Sequence, residues 1–376
     1  VEKDVPYVTG GHARQVLDLF VAEHPLPGAP VMLFVHGGGW KRFSKKEHAN
    51  VGRSMAARGI TTAVMSYRVS AVNVTAIAGI NLVTSLSLGS LGFLADVTGV
   101  APGWQVAAGL AGGLFAGLMA ISLWKRHARN SFAKWPEHRD DVGLALEFLG
   151  RAAGDGGEFE GLYDPHNMFV MGHSAGAHMT LMAMMDSEFV ARHGVTVLPS
   201  SDAALPEVGL PIAAAMHRPA GGGSSAAAGS VPRPLASPGV VVRGIVAVSP
   251  PATASLMLGW FTRTVYLLPV FGQDPAKWEA CFPDALVRSQ AEAGTCSAPG
   301  LLLVNADPGM ADMWLDSHAD VLEVALARAG VPCRRLTVAG SNHFSEVMSL
   351  DVPDSAAERI LAPAVEAWVR ALGAKA

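Results

Sequence analysis

Ser174 lies in Gly172-His-Ser-Ala-Gly176, directly after the apolar run Met168-Phe-Val-Met171. A serine hydroxyl attacks a carbonyl only when the backbone presents it and a neighbouring base takes its proton. Glycines two residues to either side let a strand turn sharply into a helix and push the serine outward. With 41 glycines in 376 residues, the pattern arises by chance about 0.3 times. Context therefore decides. A short strand precedes Ser174, and proline-free sequence with recurring Met, Leu and Ala predicts a helix over 175–192.

Acyl chemistry at Ser174 also needs donors for a developing oxyanion, a base, and a group to orient the base. Val35-His36-Gly37-Gly38-Gly39-Trp40 follows an apolar strand at once, and its glycines leave backbone N–H groups uncovered. Neither the spacing and Lys-Ser/Thr ending of a phosphate loop nor a dinucleotide G-x-G-x-x-G is present. Gly38 and Gly39 are the expected donors, with the N–H of Ala175 completing the hole. His343, in Gly340-Ser-Asn-His-Phe344, follows a strand late in the chain, where a sheet edge presents catalytic groups. Of the 13 histidines, His318 falls mid-helix, His173 and His178 flank the turn in structural roles, and His36 holds the glycine loop. The orienting carboxylate is expected at Asp307, just after the strand ending at Asn305. Asp312 and Asp316 are the competitors, and the other reading of both is helix N-terminal charge.

The elements that must position these groups alternate strand and helix. Strands are expected at 30–36, 60–67, 168–171, 241–248, 300–305 and 333–338, and helices at 45–58, 140–149, 175–192, 314–329 and 356–372. Continuous apolar strands separated by helices predict an α/β fold, a mostly parallel sheet covered on both faces. One domain spanning 1–376 accommodates them.

Half the residues are hydrophobic and 16% are charged, enough for a large core. A formal charge of −4 with no basic cluster argues against a nucleic-acid partner. Cys281, Cys296 and Cys333 are odd in number and lack C-x-x-C spacing, which predicts reduced thiols; a Cys281–Cys296 bridge is the alternative. No metal and no cofactor are implied, since there is neither H-E-x-x-H nor a cysteine cluster. The chain begins at Val1, which leaves room for a removed targeting segment.

Two stretches depart from this pattern. Residues 199–239, rich in Ala, Gly, Ser and Pro, read as a flexible low-complexity insertion. Residues 69–124 hold a single charge, Asp96, where average composition would place about nine. Within them, 106–124 runs 19 residues without a charge, close to the roughly 20 a bilayer core requires. The preceding run, 71–95, is uncharged but carries Asn73 and Asn81. Arg68 precedes the pair, and Lys125, Arg126 and Arg129 follow it, with no cation at the tip. That is the charge pattern of a transmembrane hairpin entering from the cytosolic side. Gly109, Gly112, Gly113 and Gly117 would let its helices pack closely. Apolar cap helices over a greasy pocket are the other reading.

The stretches "HGGGW", "GHSAG" and "SNHF", in that order, resemble the α/β-hydrolase fold. More narrowly, "VMLFVHGGGW", "FAKWPEHRDDVGLALEFL" and "DPHNMFVMGHSAGAH" are similar to isoprenylcysteine methylesterase-like and kynurenine formamidase-like serine hydrolases. The resemblance covers roughly residues 5–70, 130–195 and 240–372. It implies Ser174 as nucleophile, His343 as base, Asp307 as acid, and Gly38, Gly39 and Ala175 as oxyanion donors. Ala177 stands where that family commonly has glycine, and the loop "NADPGMAD" is one residue short. The expected activity is carboxylic-ester hydrolysis of a lipophilic small molecule by a membrane-associated enzyme whose catalytic domain faces the cytosol. The alternatives are an arylformamidase and a non-catalytic hydrolase-fold receptor. Oligomeric state is not legible.

Overall fold

The computed structural model describes residues 1–71, 132–201, 205–207, 239–296, 298–307 and 313–373. The expected hairpin at 69–124, apart from 69–71, lies outside them, as do 208–238 of the low-complexity insertion. Among the described residues, no helix is long and apolar enough to cross a membrane.

The described strands form one nine-stranded sheet: β1 (Glu2–Pro6), β2 (Val16–Phe20), β3 (Val31–Val35), β4 (Thr61–Met65), β5 (Met168–His173), β6 (Val195–Val197), β7 (Val240–Val248), β8 (Gly300–Ala306) and β9 (Cys333–Val338). Their spatial order is β1-β2-β4-β3-β5-β7-β8-β9, with β6 beside the start of β7. From β4 to β9 every pairing is parallel, while β1 and β2 are antiparallel at one edge.

Burial explains why these runs are strands. Every residue of β3, β4, β5 and β8 is buried, as parallel strands covered on both faces require. Alternate side chains feed two cores: Val31, Leu33 and Val35 enter one, Met32 and Phe34 the other. On the first face pack α2 (Glu137–Ala152) and α3 (Ala175–Met184); on the second pack α1 (Ala49–Ala56) and α8 (Ala362–Leu372). The helix expected over 175–192 is two helices. The Asp186 side chain accepts from Glu188 N–H and Phe189 N–H, and so caps a new start for α4 (Ser187–Arg192). The remaining helices used below are α5 (Pro283–Glu292), α6 (Met313–Arg328) and α7 (Ser345–Met348). All three cysteines are free, so no Cys281–Cys296 bridge forms.

Candidate active site

Five adjacent parallel strands, β3, β5, β7, β8 and β9, end at one edge of the sheet, where open α/β sheets form ligand crevices. The glycine loop leaves β3, Ser174 leaves β5, Asp307 leaves β8, and His343 lies in the loop after β9. The topology thus gathers residues separated by some 300 positions of sequence.

Ser174 has φ 53° and ψ −121°, a backbone state that L-residues rarely adopt. Such a state costs about 1–3 kcal/mol and persists only where the surroundings over-determine it. Here they do. Ser174 N–H donates to Val248 C=O at 2.8 Å, and His178 N–H donates to Ser174 C=O at 3.0 Å, starting α3. A Cβ on Gly172 would lie 2.5 Å from Gly176 O, and one on Gly176 would lie 2.0 Å from Val35 O. The flanking glycines are required because two backbones cross in contact.

The glycine loop meets the serine directly: a Cβ on Gly37 would sit 3.0 Å from Ser174 Cβ. Gly38 and Gly39 have φ 103° and 58°, and Gly38 C=O accepts from Lys41 N–H and Arg42 N–H, both at 3.1 Å. Among the described residues, no acceptor takes the N–H of Gly38 or Gly39. Ala175, the first residue of α3, has an N–H with no intrahelical partner. His36 holds this loop, its Nδ1 2.7 Å from Gly37 O and its ring stacked 4.3 Å from that of Tyr67. Burial, with His48 nearby, keeps His36 far below the usual imidazole range, so its ring is neutral. Lys41, next along, is buried with its amine 5.3 Å from the Tyr266 ring centroid; burial and Arg42 push it down to about 7.

His343 Nε2 stands 3.1 Å from Ser174 Oγ. Its own carbonyl accepts from His173 Nε2 at 2.8 Å, and the two rings lie 4.8 Å apart. His173 thus supports the His343 loop from the residue before the serine. His178 does behave structurally, buried among Trp40, Trp135, Phe271 and Phe282 with Nε2 2.8 Å from Cys281 O. His318 Nδ1 accepts from Ala252 N–H and Thr253 N–H.

Among the described residues, two carboxylates approach the His343 loop. Asp307 Oδ2 accepts from Gly340 N–H at 2.5 Å, fastening the end of β8 to the loop that carries His343. Glu346, fully buried on α7, places Oε1 3.5 Å from His343 Nδ1 and 3.4 Å from His173 Nε2. Sequence reading missed Glu346, although a carboxylate three residues beyond His343 falls within one helical turn of it. Asp312 lies outside the described residues, and Asp316 pairs with Arg335 at 3.2 Å. Ligand atoms of His173, His343 and Glu346 fall within 4.8 Å of one another. Of these atoms, His343 Nε2 faces Ser174 Oγ and His173 Nε2 is engaged by the His343 carbonyl.

Superposition on solved structures settles the architecture. The chain matches esterase B from Lactobacillus rhamnosis with a TM-score of 0.57, at 15% identity, over 98% of this chain and 85% of that one. The fold is that of the α/β-hydrolases. A truncated carbohydrate esterase from gut microbiota matches at TM-score 0.54 and 13% identity, over 98% and 95% of the two chains. A thermostable esterase from Pseudomonas putida gives 0.54 and 13%, over 95% and 79%. In sequence, the chain is similar to kynurenine formamidase of Drosophila melanogaster, 33% identical over 63 residues, which are 17% of this chain and 21% of that enzyme. It is also similar to a probable isoprenylcysteine alpha-carbonyl methylesterase of Oryza sativa subsp. japonica, 39% identical over 61 residues, which are 16% of this chain and 15% of that protein. These matches span at most about a fifth of the relatives' length. No family model matches the chain.

Proposed function

We propose that the chain is a serine hydrolase that cleaves carboxylic esters through an acyl-enzyme on Ser174. The observation that carries this reading is the 3.1 Å approach of His343 Nε2 to the hydroxyl of a serine held at φ 53° against the glycine loop. His343 accepts the Ser174 proton as Oγ bonds to the ester carbonyl carbon. The N–H groups of Gly38, Gly39 and Ala175 receive the oxyanion. Collapse of the tetrahedral intermediate breaks the bond to the leaving oxygen, which departs as an alcohol with the proton from His343. Water then attacks the acyl-enzyme by the same route and releases the acid and free Ser174. Asp307 is the carboxylate assigned to orient the base, through its hold on the His343 loop.

Lipophilic esters such as prenylcysteine methyl esters are the proposed substrates. The local likeness to the rice methylesterase and the apolar run at 69–124 support this choice. The same run is proposed as a membrane hairpin with the catalytic residues on the cytosolic side, on the strength of its flanking cations. The likeness to kynurenine formamidase favours aryl formamides as the second substrate class, since the same serine chemistry opens both bonds. A panel of p-nitrophenyl acyl esters, a prenylcysteine methyl ester and an N-formyl aromatic amine tests the choice. Faster turnover of the esters is expected. Preference for the formamide would move the protein to the amidases, and no turnover of any member would leave the receptor reading.

A further inference from the structure

Glu346 is the most deeply placed carboxylate near the candidate site, with no exposed surface. Among the described residues, no well-aligned hydrogen bond reaches either of its oxygens, and two imidazoles face it, His173 Nε2 at 3.4 Å and His343 Nδ1 at 3.5 Å. Burial pushes its carboxyl up, but the close approach of His173 and His343 outweighs this and holds it below the usual carboxylate range. An ionised carboxylate stripped of water and faced only by long contacts to neutral imidazoles among the described residues is unfavourable in the resting protein. That imbalance is relieved when one of the facing imidazoles acquires a proton.

We propose that Glu346 is a positioning residue for His343, a buried anion that stabilises the imidazolium formed when Ser174 gives up its proton. The inference rests on the serine-hydrolase reading of the site. An interaction weak in the ground state and strong once charge develops lowers the barrier without tightening substrate binding. Glu346 also faces His173, so one carboxylate joins the residue before the nucleophile to the base loop. Asp307 acts on a different part of that loop, the Gly340 amide, so the two carboxylates have separable tasks. Glu346 itself touches neither Ser174 nor substrate in this account; it acts through His343.

The test uses the full chain, p-nitrophenyl butyrate and a fluorophosphonate probe, comparing wild type with Glu346→Gln and Glu346→Asp. Glu346→Gln should lower kcat and the rate of phosphonylation of Ser174 by roughly 10- to 100-fold, with KM within about twofold of wild type. Glu346→Asp, which keeps the charge, should recover a substantial part of the loss. Unchanged kcat in Glu346→Gln overturns the proposal. So does an equal loss in both variants, because charge would then be irrelevant. If Glu346→Gln does not fold, Glu346→Asp alone decides. A fall in kcat at constant KM, from the longer reach to His343, supports the proposal, and wild-type kcat overturns it. Failure of the wild type to hydrolyse the ester or to be labelled at Ser174 would instead refute the serine-hydrolase reading.

Discussion

The nucleophile side of the candidate site and its acid side are built by different means. Around Ser174 the backbone does the positioning. A Cβ on Gly172 or Gly176 would strike peptide atoms, one on Gly37 would crowd Ser174 Cβ, and the serine sits at φ 53° between two backbone hydrogen bonds. Constraints of that kind leave glycines at fixed spacing, which can be read in a sequence. Around His343, side chains do the work. Asp307 reaches a backbone amide, Glu346 reaches two imidazoles, and His173 reaches a carbonyl. A carboxylate can arrive there from the end of β8 or from α7 without leaving any motif. If Ser174 and His343 act as proposed, the difference teaches that rigid backbone geometry fixes where attack occurs, while the electrostatic support of the base is shared among several elements.

If that comparison holds, losing the nucleophile is the largest effect. Ser174→Ala should cost about 10⁴-fold or more in ester hydrolysis, with the fold retained by circular dichroism. Retained turnover would end the account of the elbow. On the acid side, Asp307→Asn should cost roughly 10²- to 10⁴-fold in kcat, and far more than Asp312→Asn. A larger loss from Asp312→Asn would reassign the acid while leaving Ser174 and His343 in place.

Gly176→Ala probes the backbone half through stability. Its Cβ would lie 2.0 Å from Val35 O, a peptide atom that cannot swing aside. Destabilisation of about 1–3 kcal/mol is expected by urea titration, with loss of activity beyond what stability explains. A neutral substitution would mean that the crossing is looser than described.

Much of the fold was legible because β3, β5, β7 and β8 are mostly apolar and motif glycines follow β3 and lie at the end of β5 and after it. The edge pair β1–β2 was not. Glu2-Lys-Asp-Val-Pro6 is polar, and Asp18 within β2 is buried with Lys45 paired to it at 2.5 Å and Asp4 N–H donating to it at 2.8 Å. Periodicity carried the predicted helix straight through Asp186, whose side chain ends that continuity by capping. Glu346 was missed because an acidic residue in the first turn of a helix ordinarily means surface charge at the macrodipole; its full burial is a tertiary fact. The neutral buried histidines are likewise tertiary, and they carry a pH signature. Burial pushes His48 down to about 4, and His138, His178 and His318 down to about 3. In the unfolded chain each titrates near the ordinary imidazole value of about 6.5, so acid favours unfolding. Stability should be complete above about pH 6.5 and fall steadily as pH drops toward the folded values. Thermal melts from pH 7.5 to 4.5 check this, and a flat profile would contradict it.

The smallest effect on catalysis is expected from the apolar insertion. Its base is closed: Ala133 N–H donates to Val69 C=O at 3.0 Å, and Ser70 Oγ donates to Ala133 C=O at 2.9 Å. Replacing 72–124 with a short Gly/Ser linker should leave hydrolysis of small soluble esters within a few-fold of wild type (roughly threefold) and release the protein from membranes. Abolished hydrolysis would favour cap helices instead.

The central claim, a nucleophilic Ser174 activated by His343, is tested most directly by mass spectrometry after exposure to a fluorophosphonate. One adduct per chain is expected, mapped to the peptide containing Ser174, absent in Ser174→Ala and much slowed in His343→Ala. An adduct on another residue, or none on folded protein, would contradict the account.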